Sequence, residues 1–241
     1  MIKRIKTGIQ GFDELVQGGI PEGYNVLLSG SPGTGKTIFG MEFLKNGALL
    51  HGERGLFITF EESPKNLIMQ AAQIGMNLKK LRLDNKLIVK SLPQEESLNE
   101  DIIIKIIDDA IKNHKIKRLV IDSLDTYANN IISFEDREKP LSDDLWIKRV
   151  VYRIIKRLQK YPKITKILIS ETEEGRQELS KDGVSEFLCD GVIKIEYISM
   201  GGEYSRQLKV RKMRSTKNNP DLFPLEIKSN GIRVHSGKKN E

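Results

Sequence analysis

A glycine-rich run near the start of the chain constrains the fold more than any other feature. Residues 30–37 read Gly-Ser-Pro-Gly-Thr-Gly-Lys-Thr, which matches the pattern G-x-x-x-x-G-K-[ST]. Glycines let successive backbone N–H groups turn inward around a phosphate, where side chains would obstruct the approach. A strand pattern at 25–28 (Asn-Val-Leu-Leu) precedes the run and a helical pattern follows it. The run therefore predicts a strand–loop–helix unit that holds the phosphates of a nucleotide.

Two side chains at the end of this loop carry the expected chemistry. Lys36 supplies a point charge to the β- and γ-phosphates, and the hydroxyl of Thr37 can ligate Mg²⁺. The helix that begins there presents its positive N-terminus to the same anion. We therefore expect nucleotide contacts from Ser31, Pro32, Gly33, Thr34, Gly35, Lys36 and Thr37.

Carboxylates follow two of the other apolar runs. Residues 119–122 read Leu-Val-Ile-Asp, and a carboxylate at the end of a parallel strand lies on the ligand side of the sheet. Asp122 is therefore the predicted second Mg²⁺ ligand. Glu61 and Glu62 follow the run at 57–60 and precede Ser63-Pro64, which starts a helix. The two glutamates either complement that helix N-terminus, or Glu61 is the base that polarises an attacking water and Glu62 tunes it.

Short apolar runs alternate with helical patterns along most of the 241 residues, which is typical of βαβ units and a mostly parallel sheet covered by helices on both faces. The chain length suits one α/β domain over residues 1–241, with residues 236–241 as a flexible tail. Predicted parallel strands cover 24–29, 55–60, 86–92, 118–122, 164–170 and 191–197, and predicted helices lie near 37–50, 64–74, 98–113 and 145–161. Three further runs, 203–213, 222–227 and 231–235, predict antiparallel strands at one edge.

Composition excludes several classes of protein. Cys189 is the single cysteine, so no internal disulfide framework exists and a reducing cytoplasm is the expected location. The three histidines are far apart in sequence and lack the spacing of metal ligands. The longest apolar run, 102–107, is short and contains a lysine, so we expect no membrane span and no membrane partner. A net charge of +7 permits a polyanionic partner without establishing one.

The motifs taken together resemble the RecA/KaiC superfamily, and specifically the archaeal KaiC-like ATPases. The resemblance rests on the glycine-rich loop, on Thr-Phe-Glu-Glu-Ser-Pro at 59–64 and on Val-Ile-Asp-Ser-Leu at 120–124. Similar landmarks occur at 7–15, 18–21, 183–187 and 208–216, so the resemblance runs from about residue 5 to about residue 235. It implies a RecA-like fold, binding of ATP and Mg²⁺, slow hydrolysis to ADP and phosphate, and a homohexameric ring with nucleotide at the subunit interfaces.

The resemblance also implies roles for individual residues. Glu61 and Glu62 match the family's paired catalytic glutamates. Lys212 and Arg214 match a Lys-x-Arg pair that reaches the nucleotide of the neighbouring subunit, as an arginine finger does. From the residues alone the pair could equally be the solvent face of a strand, since residues i and i+2 share a face. The resemblance further implies that Ser170 lies near the γ-phosphate and that Ile38 and Thr216 contact the nucleotide.

This chain departs from the family pattern after the Lys-x-Arg pair. Ser215 replaces a glycine, and Asn218 and Pro220 stand where many members carry His and Lys. Base contacts and nucleotide preference do not follow from the resemblance for this reason.

Two biological roles are compatible with these features: an oligomeric regulatory or signalling ATPase with a protein partner, or a DNA repair or recombination accessory protein that binds single-stranded DNA. The resemblance places two loops, 133–144 and 171–178, at the axis of the ring. Both loops carry more acidic than basic residues, which disfavours DNA binding there. The helix at 145–161 has six basic residues on one face, which is either a solvated surface or a docking surface.

Overall fold

A computed structural model of the chain describes residues 2–92, 99–135, 142–173, 178–200 and 203–237. The strands in this part of the chain are β1 (Arg4–Ile5), β2 (Ile20–Pro21), β3 (Asn25–Gly30), β4 (Gly55–Thr59), β5 (Leu87–Ser91), β6 (Arg118–Asp122), β7 (Thr165–Glu171), β8 (Gly191–Met200), β9 (Glu203–Met213), β10 (Leu222–Lys228) and β11 (Gly231–Val234). The helices are α1 (Phe12–Leu15), α2 (Lys36–Leu50), α3 (Pro64–Gln73), α4 (Leu78–Leu83), α5 (Glu100–His114), α6 (Leu124–Glu135), α7 (Asp143–Leu158) and α8 (Ser185–Leu188).

Nine of these strands form one sheet, in the order β11-β10-β9-β8-β3-β7-β6-β4-β5. The six strands from β8 to β5 run parallel, and β9, β10 and β11 extend the sheet by antiparallel pairing. Every residue of β3, β4 and β6 is buried, as expected for parallel strands that helices cover on both faces. The predicted α/β fold with an antiparallel C-terminal edge is confirmed.

Helices pack a separate apolar core on each face of the sheet. One core holds side chains of α1 to α4 and of the C-terminal strands, including Phe12 against Phe39 with ring centroids 5.3 Å apart. The other core holds side chains of α5, α6 and α7. The periodic apolar faces of α5 and α7 lie in this second core, because residues three and four apart share one side of a helix.

One fully buried arginine ties the N-terminal segment to the sheet. Arg118, the first residue of β6, donates hydrogen bonds of 2.7 Å to the carbonyls of Phe43 and Lys6 and pairs with Glu53 at 2.7 Å. A Cβ on Gly47 of α2 would lie 2.3 Å from Nε of this arginine. The guanidinium therefore fills the space that the glycine leaves open, and its charge is compensated in place.

The predicted elements match the observed ones to within two or three residues at most ends, but one prediction after β6 is wrong in part. We expected an axial loop through 133–144, whereas α6 extends to Glu135 and α7 begins at Asp143. The signal for α6 was present, since Leu124, Ala128 and Ile131 recur at helical spacing and are buried. Residues 136–141, and residues 174–177 of the second predicted loop, lie outside the described residues.

The basic face of α7 is not simply a solvated surface. Arg153 pairs with Glu100, and Arg157 pairs with Asp101 at 2.6 Å, both across to α5. The two helices therefore neutralise part of each other's charge, and less of the basic face is left for a polyanion. No helix in the described part of the chain combines the length and the apolar character that crossing a bilayer requires.

Candidate functional site

The glycine-rich loop joins the end of β3 to the start of α2 and bends through two left-handed glycines. Gly33 has φ 78° and Gly35 has φ 103°, a region that residues with a Cβ rarely adopt. The hydroxyl of Thr34 donates to the carbonyl of Ser31 at 2.8 Å, and Nζ of Lys36 donates to the same carbonyl at 3.0 Å. Ser31 and Thr34 thus shape the loop, and Lys36 folds back across it.

Lys36 lies 7% exposed among carboxylates. Burial lowers the pKa of its ammonium group, whereas Glu171, whose Oε1 is 4.0 Å from Nζ, and then Asp122 favour the charged form. A partly desolvated ammonium group of this kind gains from a phosphate ligand, because an added anion offsets the cost of burying the charge.

A hydroxyl and a carboxylate meet beside the loop, as the sequence predicts. Thr37 Oγ1 donates to Asp122 Oδ2 at 2.7 Å. Asp122 ends β6, which pairs in parallel with β7, and β7 pairs in parallel with β3, so its carboxylate emerges at the same edge of the sheet as the loop. Burial raises the pKa of Asp122 to about 7, although the hydrogen bond from Thr37 opposes that shift. A bound cation would stabilise the ionised form of this carboxylate.

The two glutamates after β4 are held by different partners. Glu61 Oε1 accepts hydrogen bonds from the hydroxyls of Ser123, at 2.9 Å, and Thr126, at 2.6 Å. Glu62 Oε2 accepts from Gln70 Nε2 of α3 at 2.7 Å. The hydroxyl of Ser63 caps α3 by accepting the N–H of Asn66, so the cap of this helix is a serine and neither glutamate. This arrangement favours a catalytic interpretation of Glu61 over a helix-capping one.

These groups surround one cavity of about 260 Å³. Glu61, Thr37 and Asp122 line it, together with Ile38. Sequence reasoning missed Gln70, which lies eight positions after Glu62, whereas Glu171 directly follows Ser170, the residue expected near the γ-phosphate. The cavity is lined by Pro32, Gly33, Gly35, Lys36, Thr37, Ile38, Glu61, Gln70, Asp122 and Glu171.

Ser170, expected near the γ-phosphate, is not among the residues that line this cavity. Its hydroxyl donates to Asp125 Oδ1 at 3.2 Å, while Asp125 Oδ2 accepts the backbone N–H of Glu171 at 2.6 Å. Burial raises the pKa of Asp125 to about 6. Ser170 and Asp125 therefore hold the end of β7, and the next residue, Glu171, faces Lys36. Asp125 was missed because a single carboxylate in an unrecognised helix carries no motif.

A tyrosine and an arginine from the C-terminal strands close over the loop. Tyr197 of β8 donates its hydroxyl to the carbonyl of Gly33 at 2.7 Å. Arg206 of β9 donates to that hydroxyl at 2.9 Å and lies 5.1 Å above the tyrosine ring. No local sequence pattern indicates this contact, since the residues are more than 160 positions from the loop in sequence.

The predicted Lys-x-Arg pair lies at the opposite edge of the sheet from the loop of its own chain. Lys212 pairs in register with Val192, which pairs with Leu27, three residues before Gly30. Lys212 is therefore separated from Gly30 by two strand spacings, about 10 Å across the sheet, and by three residues, about 10 Å along the strands. Arg214 lies two residues farther from the loop. An extended arginine side chain is shorter than this separation.

Backbone carbonyls hold Lys212, and a carboxylate holds Arg214, at that edge. Lys212 Nζ donates to the carbonyls of Glu186 and Cys189 at 2.8 and 2.7 Å, and Arg214 pairs with Asp190 at 3.1 Å. Thr216, expected to contact nucleotide, accepts a hydrogen bond from Arg4 at 3.0 Å on the same side. Within one chain, none of the three therefore reaches the cavity.

Comparisons with known proteins show the family of this chain. A family model for the KaiC ATPase matches residues 5–239. The circadian clock oscillator protein KaiC of Parasynechococcus marenigrum strain WH8102 is 32% identical over 240 residues, which are 97% of this chain and 45% of that protein. The chain thus spans about half the length of the clock proteins it matches.

Archaeal relatives match from end to end. A UPF0273 protein of Pyrococcus furiosus is 34% identical over 99% of this chain and 96% of its own length. The crystal structure of a KaiC-like protein from Pyrococcus horikoshii OT3 superposes with a TM-score of 0.84 at 34% identity, over 98% of this chain and 100% of that one. The chain belongs to the KaiC family of ATPases and, over nearly its whole length, is similar to archaeal KaiC-like proteins.

Proposed function

We propose that this protein binds ATP with Mg²⁺, hydrolyses it slowly to ADP and phosphate, and acts as an oligomeric regulatory ATPase. In this proposal residues 1–241 act as one nucleotide-binding unit in the cytoplasm, where the single buried thiol of Cys189 stays reduced. One observation carries the proposal. A phosphate loop, a hydroxyl–carboxylate pair and a hydroxyl-bonded glutamate converge on one cavity.

The cavity suits a magnesium ion bound together with phosphates. Mg²⁺ prefers oxygen ligands and is commonly held by one or two protein groups, with waters and phosphate oxygens completing its shell. Thr37 Oγ1 and Asp122 Oδ2, 2.7 Å apart, are the two protein oxygens that would hold it. When bound, the ion neutralises charge on the β- and γ-phosphates. Lys36 supplies a second positive charge from inside the loop.

Glu61 is the proposed base. Ser123 and Thr126 both donate to Oε1 of its carboxylate, which holds that oxygen in place and leaves Oε2 to accept a water in the cavity. A base held in this way can orient the water for in-line attack on the γ-phosphorus and accept its proton. Glu62, bound to Gln70, lies beside it and raises the local negative charge. Glu61 therefore positions the nucleophile, and Glu62 tunes it.

A neighbouring copy of the chain would complete the site. Lys212 and Arg214 lie too far from their own loop, so they can reach a γ-phosphate only across an interface. A ring delivers such residues head to tail, and cations supplied in trans stabilise the transition state by several orders of magnitude in rate. We propose a homohexamer in which Thr216 of the neighbour also approaches the nucleotide, while Ile38 contacts it within the chain. A monomer would hydrolyse ATP slowly because its site is incomplete.

Ion pairs on α7 weaken one argument for the DNA role. The arginines of α7 that would offer a phosphate-binding surface are partly neutralised by Glu100 and Asp101. Phosphate contacts from free cations supply most of the affinity for nucleic acid. Binding of single-stranded DNA that persists at physiological salt would favour the DNA role.

The proposal is tested by measuring ATP hydrolysis and mass in parallel across protein concentration. Specific activity should rise as the chain assembles, and Glu61→Gln should abolish hydrolysis while leaving ATP binding and assembly intact. Lys112→Glu, an exposed change on α5, is the matched control and should behave as wild type. Full activity in a monomer would refute the trans arrangement, and full activity in Glu61→Gln would refute the assigned base.

A further inference from the structure

A large apolar groove lies between α3 and α4, outside the nucleotide cavity. Its volume is about 920 Å³, and Ile68, Met69, Ala72 and Met76 contribute to its floor and walls. Met69 is 54% exposed, although its neighbour Leu67 on the same helix is fully packed in the core. A mostly apolar cleft of this volume on a folded domain commonly marks a binding site.

The charge around this groove has one sign. Residues 64–83, which contain α3 and α4, include Lys65, Lys79, Lys80 and Arg82 and no aspartate or glutamate. The chain as a whole has 33 acidic residues in 241, so about three would be expected in twenty positions. Lys65, Lys79 and Arg82 line the groove, are exposed, and form no ion pair with the described residues. An occupant of the groove is therefore required to be apolar in the middle and acidic at its edges.

We infer that this groove docks an amphipathic helix of a partner protein, one whose apolar face is flanked by acidic residues. An apolar groove with a charged rim recognises a helix through side chains at positions i, i+3, i+4 and i+7, and rim charges select the partner. A second copy of this chain fits less well. The most acidic described helix, α5, buries Ile103 and Ile107 in its own core and cannot present them to another molecule.

The groove is adjacent to the catalytic carboxylates through one short helix. Gln70 extends from the opposite flank of α3 and donates to Glu62, and α3 begins at Pro64, directly after the Glu61–Glu62–Ser63 segment. A bound helix that displaced α3 would therefore also displace Gln70, the partner of Glu62. This consequence deepens the proposed regulatory function and rests on it, whereas the docking itself can be measured without ATP turnover.

The test uses the full chain and a synthetic helical peptide, with leucines at i, i+3, i+4 and i+7 and glutamates beside them. Affinity is measured by fluorescence anisotropy of a labelled peptide at about 0.15 M salt. A second peptide replaces each glutamate by lysine, and a third has the first peptide's composition in scrambled order. The protein variants are the double charge reversal Lys79→Glu/Arg82→Glu and, as a matched control of equal net charge, Lys105→Glu/Lys112→Glu on α5.

We expect the acidic peptide to bind the wild type and the α5 control equally, and to bind the groove variant at least about tenfold more weakly. The lysine peptide should bind the groove variant more tightly than the wild type. Its binding would also show that the groove variant is folded. Three results would overturn the inference: no binding of the acidic peptide, equal loss in both variants, or equal binding of the scrambled peptide. A change of mass on groove reversal without peptide would also overturn it, since the surface would then join copies of this chain.

Discussion

The proposed sharing of each site between two chains makes a quantitative prediction for mixtures of inactive variants. Glu61→Gln removes the proposed base from the cavity of its own chain, and Arg214→Ala removes the cation that the chain would offer to its neighbour. The two residues lie on opposite edges of one sheet, with Arg214 level with the start of β3 and the loop beyond its end. About five strand residues along and two strands across separate Arg214 from Gly30, or roughly 19 Å, against about 7 Å for the side chain. One chain cannot join them.

Mixing therefore separates the two mechanisms. In rings assembled from equal amounts of both variants, an active interface needs the loop of an Arg214→Ala chain and the cation of a Glu61→Gln chain. With random assembly each condition holds for half of the chains, so about a quarter of the interfaces are complete. We expect about a quarter of wild-type hydrolysis from the mixture, although each variant alone falls by about a thousandfold or more.

The assay is phosphate release after the variants are mixed as monomers and assembled with ATP, with the mass of the product measured in parallel. Mixing Glu61→Gln with the double variant Glu61→Gln/Arg214→Ala is the control, because no interface then contains an intact base. If the first mixture forms rings of normal mass but recovers no ATP hydrolysis, the trans site is refuted. Recovery in the control mixture would show that Glu61 is not the base.

Three further predictions concern single side chains. Thr126→Val removes one of two hydrogen bonds to Glu61, so hydrolysis should fall about tenfold, or about 1.4 kcal/mol, with unchanged ATP binding, while Thr126→Ser should retain the wild-type rate. Asp125 keeps its proton to about pH 6 when folded and releases it near 3.8 when unfolded, so the free energy of unfolding should fall by up to about 3 kcal/mol between pH 4 and 7. Denaturant titrations of Asp125→Asn should lack this contribution and keep the fall that Asp122, with its pKa raised to about 7, causes over the same range. Parallel pH profiles of the wild type and the variant would contradict the assignment. Gly47→Ala should lower the free energy of unfolding by about 1–3 kcal/mol, because the new Cβ would clash with Arg118. The same substitution at an open helix position would raise the free energy of unfolding by about 1 kcal/mol. If thermal unfolding shows a higher Tm for Gly47→Ala, the Arg118 guanidinium moves aside without a cost in stability.

Local patterns in the sequence were sufficient for the elements that build the site. The glycine-rich loop, the strand ending in Asp122 and the capped start of α3 are each defined within eight residues, and each lies where its pattern indicates. Their convergence also followed, because parallel strands end at a common edge. No helix was predicted where α6 lies, although the buried residues Leu124, Ala128 and Ile131 recur at helical spacing. The assigned roles of the site residues stay predictions for the variants above.

Residue order alone was enough to predict the parallel α/β sheet and the glycine-rich loop, because each depends on short stretches of chain, and the spacing of several such stretches indicated the family. The tertiary structure was needed to show which groups share a hydrogen bond across long separations, such as Tyr197 with Gly33 and Ser123 with Glu61. It alone showed that Arg214 lies on the far edge from the loop, since that distance depends on strand order and register. Periodicity indicates which face of a strand or helix is buried, but not which element covers it.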